Sequence, residues 1–133
     1  MSKPVDVGQV KEGQHILIDN EPCKIVAYEK SKPGKHGSAK ARIVAIGIFD
    51  NVKRSMVSPV DGRIEVPIIE KKSGQVISVN PSNIQLMDLE TYEIFETVTS
   101  STEEEIRNKL ENGVEVEYWR ILGRTKIMRA KAQ

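Results

Sequence analysis

The chain reads as short runs in which apolar and polar residues alternate, cut by frequent turn residues. His15-Ile16-Leu17-Ile18 is a strand ended by the turn Asp19-Asn20-Glu21-Pro22. Residues 23–28 alternate, which predicts Cys23, Ile25 and Ala27 on one face and Lys24, Val26 and Tyr28 on the other. Residues 39–49 form a long strand, with Lys40 and Arg42 near its start and apolar residues further in. Asp50-Asn51 turns the chain, residues 53–57 return, Ser58-Pro59 breaks, and Asp61-Gly62 turns again. Residues 63–69 alternate cleanly, with Pro67 marking an edge or a strand end. Val5-Asp6-Val7 supplies a short first strand. Short strands with frequent turns and no helical period predict a small β-barrel.

The pattern is interrupted at Glu70-Lys71-Lys72-Ser73-Gly74, which places a domain boundary there and divides the chain into 1–70 and 71–133. A second β series follows at 75–79, 83–89 and 93–99, with a stop at Asn80-Pro81 between the first two. One helix comes next. Thr102 and Glu105 have the spacing of a capping box, and Glu103, Glu104 and Glu105 suit the positive end of a helix dipole. Ile106 and Leu110 lie four apart, a thin apolar stripe that predicts a helix covering or plugging a barrel; Asn112-Gly113 ends it. Two strands, 114–121 and 124–129, close the chain around a turn at Gly123. Five strands with a helix between the third and fourth is the element order of an OB-fold. Tyr118 and Trp119 are neighbours in a strand, so one is expected buried and one exposed.

Composition adds bounds. At 133 residues the chain holds one ordinary domain or two small ones. Hydrophobic content of 38% and charged content of 29% suit a globular chain. No run of about 18 apolar residues predicts a membrane span, and the first residues lack the apolar core of a signal peptide. The single cysteine, Cys23, rules out an internal disulfide and a thiolate cluster, so a cytosolic protein is expected. Net charge is +1, with eleven Lys/Arg against nine Asp/Glu in residues 1–70 and nine against ten in the rest.

One stretch escapes that balance. Residues 30–42, Lys30-Ser31-Lys32-Pro33-Gly34-Lys35-His36-Gly37-Ser38-Ala39-Lys40-Ala41-Arg42, hold five cations and no anion, between two strand-like runs. Gly34 and Gly37 tolerate a sharp turn, which would thrust Lys35 outward. The small residues around it would let the loop enter a narrow site. Such a run either keeps a hairpin tip and its strand edges soluble or serves a negatively charged visitor, phosphate above all, bound less well as salt rises. Aromatics are too few for a binder that works mainly by base stacking.

Other chemistry is poorly supplied. A phosphate-binding P-loop needs a glycine five residues before Gly34 and Ser or Thr after Lys35; the chain has Glu29 and His36 there. His15, His36 and Cys23 lack metal-ligand spacing, and Cys23 in an alternating strand is expected to be core. No carboxylate pair stands out, and no enzyme is expected.

Residues 32–40, Lys32-Pro33-Gly34-Lys35-His36-Gly37-Ser38-Ala39-Lys40, resemble the modification loop of the translation initiation factor 5A family, relatives of bacterial elongation factor P. Glu21-Pro22-Cys23-Lys24-Ile25-Val26 and Ile48-Phe49-Asp50 resemble the same family, as does the break near residue 70. Pro33, and the lack of an acidic N-terminal extension, point to its archaeal branch. The resemblance implies a mainly β chain, with an SH3-like barrel (1–70) followed by an OB-fold (71–133). It implies that Lys35 receives an aminobutyl group from spermidine through deoxyhypusine synthase, giving deoxyhypusine or hypusine, with Pro33, Gly34, His36 and Gly37 supporting that modification. It implies no bound cofactor. Lys32, Lys35, His36, Lys40 and Arg42 become the expected RNA contacts. The implied partners are the ribosome, through its RNA and peptidyl-tRNA, and the synthase, with neither membrane nor DNA among them. The implied role is to position peptidyl-tRNA at stalled sequences such as proline runs and to assist termination. The residues alone also suit a general RNA-binding module or RNA chaperone.

Overall fold

Alternation builds both halves of the chain as antiparallel sheet. The computed structural model describes residues 2–31 and 39–131. The chain divides into two units, Met1–Ile68 and Ile69–Gln133, a division two residues before the boundary read from the pattern. The architecture is mainly β, with the strands of each unit curled into a half-barrel.

In the first unit, β1 (Ser2–Asp6) leads through a 3₁₀ turn (Val7–Gln9) to β2 (His15–Ile18), β3 (Glu21–Ser31), β4 (Lys40–Gly47), β5 (Lys53–Pro59) and β6 (Arg63–Pro67). Strands β2 to β5 pair in sequence order, and β1 pairs with β6 as a separate ribbon. Along β4 the burial alternates: Ala41, Ile43 and Ala45 face inward and Lys40, Arg42 and Ile46 face out. Val7, Ile16, Ile25 and Ile64 join the inward residues in one core.

Strand β3 breaks the expected alternation. Its pairing runs Ile25 with Ala45 and then Ala27 with Val44, so Val26 is an extra, bulged residue. The bulge inverts the phase beyond it. Tyr28, expected on the face opposite Ile25, instead packs against the core and donates its hydroxyl to the Val7 carbonyl at 2.8 Å. A strict period of two cannot register an inserted residue.

The second unit contains β7 (Ile69–Val79), β8 (Asn83–Asp88), β9 (Ile94–Val98), a 3₁₀ turn (Thr99–Ser101), α1 (Glu104–Arg107), β10 (Glu115–Ile121) and β11 (Arg124–Ala130). The sheet order is β11-β10-β7-β8-β9. Counted within the unit, that is fifth, fourth, first, second, third, with the helix between third and fourth, as in an OB-fold. The Thr97 hydroxyl donates to the Thr125 carbonyl at 3.0 Å, drawing the two end strands of the sheet together.

Two expectations are corrected here. Residues 70–74 are not an interruption: they are the first half of β7, paired with β10 through Glu117 opposite Ser73 and Val116 opposite Gly74. Gly74 reads as a breaker, yet it makes room for a ring, since a Cβ there would lie 3.1 Å from the Tyr118 side chain. The helix is a single turn without the capping box. Thr102 is 2% exposed and its hydroxyl has no partner in the structure, while Glu103 precedes the helix without a side-chain cap. Burial at the end of the 3₁₀ turn, where the Thr102 amide donates to the Thr99 carbonyl, takes Thr102 out of the capping role. The apolar stripe is real: Leu110 is buried, with Ile106 packed on the core of Val76, Leu86, Val116 and Ile127.

Tyr118 is buried and Trp119 only partly so. The Tyr118 hydroxyl donates to Asp88 Oδ2, and the backbone amides of Glu90 and Thr91 donate to Oδ1 at 2.8 and 2.9 Å. Burial pushes the Asp88 carboxyl up, but these hydrogen bonds and the Lys72 ammonium outweigh it and hold the group at about 2. An unfolded aspartate titrates near 3.9. The folded value is the lower, so the stability this carboxylate contributes is complete above about pH 4 and is lost as pH falls toward 2. We expect Asp88→Asn to cost about 1–3 kcal/mol at pH 7 and to flatten the fall in stability between pH 4 and 2. Urea unfolding across that range checks this; a variant as acid-sensitive as the parent would contradict it.

Candidate functional site: a basic hairpin stem

The β3–β4 hairpin positions the basic stretch. The two strands pair from Cys23 opposite Gly47 to Ser31 opposite Lys40. The end of the stem near the stretch is tied down: the Ala39 carbonyl accepts from the Val60 amide at 3.0 Å, and the Val60 carbonyl accepts from the Gly8 amide at 2.8 Å. Tyr28 adds its bond to Val7, and the Lys30 ammonium lies 5.9 Å from the centre of the Tyr28 ring. The far end is closed by Arg54, which donates to both Asp50 oxygens at 2.8 and 3.2 Å. That fork, with the Val52 amide, holds the Asp50 carboxyl at about 2. A Cβ on Gly47 would lie 1.9 Å from Asp50 Oδ1, so only glycine leaves this clasp intact.

Of the residues singled out from sequence, Lys40 and Arg42 are exposed on the outer face of β4. Lys32, Pro33, Gly34, Lys35, His36 and Gly37 lie outside the described residues. The stretch has no acid of its own, yet Glu29 is brought directly across from Arg42, with exposed Val57 on the other side of the rung. Register thus sets one acid opposite one of the cations. Two more cations share the outer face, because Lys24 and Lys53 flank Ile46 in a single rung. The sequence reading missed them: only strand register brings residues 24, 46 and 53 together.

Nothing in the stem is arranged for bond chemistry. Cys23 is fully buried, its thiol donates to the Glu21 carbonyl at 3.3 Å, and burial pushes its ionisation up despite the nearby Arg54. Among the described residues no group of three or more His, Cys, Asp or Glu is placed to hold a metal, and no helix is long and apolar enough to cross a membrane.

A small β-unit with a basic hairpin, followed by an OB arrangement, defines a two-unit protein whose described residues present charge rather than reactive groups. Residues 1–61 match the family described as translation initiation factor 5A-like, N-terminal, and residues 68–131 match eukaryotic elongation factor 5A hypusine, DNA-binding OB fold. The chain is 54% identical over 130 residues to translation initiation factor 5A of Pyrococcus furiosus, covering 97% of this chain and 94% of the relative. It is 56% identical over 131 residues to that of Thermofilum pendens, covering 98% of each. The solved structure of the Methanococcus jannaschii factor superposes with a TM-score of 0.89 at 48% identity, covering 98% of this chain and 95% of the other. The chain belongs to the translation initiation factor 5A family, on its archaeal branch. The family consists of non-enzymatic translation factors, a role that implies interaction with the ribosome.

The Tyr28 anchor is open to test. Tyr28→Phe keeps the ring and removes the bond to Val7, and should cost about 1 kcal/mol. Chemical denaturation checks this, and an unchanged midpoint would mean that the bond does not hold the stem.

Proposed function

We propose that the working group of this factor is Lys35, carrying deoxyhypusine or hypusine, and that the β3–β4 stem exists to hold that arm toward RNA on the ribosome. The observation that carries the reading is the stem itself. Its strands stay paired to Ser31 and Lys40, at the two ends of the segment that contains Lys35. A stem fixed by Tyr28, Ala39 and Val60 limits the conformations available at the point where the segment leaves it. Family membership supports the modification, since the matched description itself names hypusine.

Modification lengthens the lysine and gives it two cationic nitrogens. A longer, doubly charged arm reaches phosphates that lysine does not. Lys32, His36, Lys40 and Arg42 serve as its escort on RNA, and Pro33, Gly34, His36 and Gly37 shape the segment for deoxyhypusine synthase. The aminobutyl group comes from spermidine and stays covalently attached, with no other cofactor. The arm supports the acceptor end of peptidyl-tRNA so that the ribosome's own centre reacts at proline runs and at termination. The contribution is positional, a restriction of freedom rather than a chemical step.

Mass spectrometry of the loop peptide from the native source should find an aminobutyl-derived addition on Lys35. Lys35→Arg should fold normally, remain unmodified and fail to support the factor's role. An unmodified Lys35 in native protein, or a fully active Lys35→Arg, would overturn the reading.

A further inference from the structure

The second unit carries its own concentration of positive charge, away from the strands that OB-folds commonly use. In such folds the second and third strands form the usual ligand face. Here those are β8 and β9, whose outward rungs are Asn83 with Val98, Gln85 with Glu96 and Met87 with Ile94. That face has no Lys or Arg and one carboxylate, which suits an anionic strand poorly.

The cations lie instead across β7, β10 and β11. A hollow of about 230 Å³ is lined by Lys71, Lys72, Ser73, Glu117, Arg129 and Lys131. Register explains it. Ser73, Glu117 and Arg129 form one rung, with Lys71 and Trp119 facing each other in a neighbouring rung. The Lys131 amide, just past the end of β11, bonds the Glu115 carbonyl and fixes the backbone at the rim.

The hollow's single acid is already engaged. Glu117 Oε2 lies 3.2 Å from Arg129, and Oε1 accepts from the Trp119 indole at 3.2 Å. Lys72 has carboxylates within reach, Glu70 at 3.7 Å and Asp88 at 3.9 Å. Lys71 and Lys131 have none among the described residues. Each is held by a neutral group: Lys71 lies 4.9 Å from the centre of a Trp119 ring, and Lys131 donates to the Ser73 hydroxyl at 2.8 Å. Two ammonium groups are thus oriented beside a cavity with no carboxylate partner among the described residues.

We propose that this hollow is a second RNA site, in which Lys71 and Lys131 grip backbone phosphate without reading bases. Ammonium groups act on phosphate as point charges. A guanidinium fork suits carboxylate and phosphate alike, and Arg129, largely exposed with Nη2 3.2 Å from Glu117, adds a third cation at the rim. The reading that this factor works on RNA favours a nucleic-acid backbone over an acidic protein as the anion. The inference rests on the reading that this factor works on RNA, but not on modification of Lys35.

The test uses the full chain with unmodified Lys35 and a fluorescent 12-nucleotide oligouridylate. The Lys71→Gln/Lys131→Gln double variant should bind about tenfold more weakly and reduce the log–log salt slope by about 0.7 for each lysine. Amide shifts on titration should appear at residues 71–73, 117 and 129–131. Affinity and slope equal to the parent, shifts confined to β8 and β9 or to the basic hairpin, or equal displacement of the RNA by a poly-glutamate peptide of the same length would overturn it. Since Lys35 is unmodified throughout, failure here leaves the modified-arm reading standing. An unmodified Lys35 in native protein would likewise leave this site standing.

Discussion

The antiparallel pairing of β3 with β4 is the constraint on which the rest of the first unit depends. It must bury Ile25 and Ala45 at one end and keep Lys40 and Arg42 in solvent at the other. The bulge at Val26 reconciles these demands by rotating the distal half of β3 so that Tyr28 meets the core. Bulges bend and twist the strand that carries them, which is a way to aim a hairpin. The Tyr28 and Val60 bonds then fix that aim to the turn at Val7–Gln9.

The second unit solves a different problem with the same means. Its core is organised around Tyr118, which needs Gly74 beneath it, Phe95 at 5.1 Å and Asp88 at its hydroxyl. Asp88 serves two purposes, since it also caps the turn that follows β8. Tyr118 is therefore held on the buried face of β10, and from the same strand Glu117 and Trp119 point outward to organise the cationic hollow.

Much of this was legible in the sequence. Apolar alternation located the strands, and the order of strands and helix gave the OB arrangement of the second unit. What escaped reading was whatever depends on register. The Val26 bulge inverted Tyr28, Gly74 proved a packing residue, and Thr102 sits too deep to cap a helix. Lys24 and Lys53 beside Ile46, and Lys71 with Lys131 around Ser73, are distant in sequence and meet only through strand pairing. The basic hairpin stretch was visible because its residues are consecutive; Lys35 within it was singled out by resemblance to a family, and periodicity alone would not have chosen it among five cations.

Both concentrations of charge have one logic. In each, a lysine or its neighbours is held by neutral contacts, an aromatic ring or a hydroxyl, and stays available to an outside anion. The central claim is that the arm on Lys35 does the work and the fold aims it. The most direct measurement is peptide synthesis through a proline run on reconstituted archaeal ribosomes, comparing this chain with and without the aminobutyl modification. The account predicts that only the modified protein relieves the stall. Equal relief by the unmodified protein would contradict it.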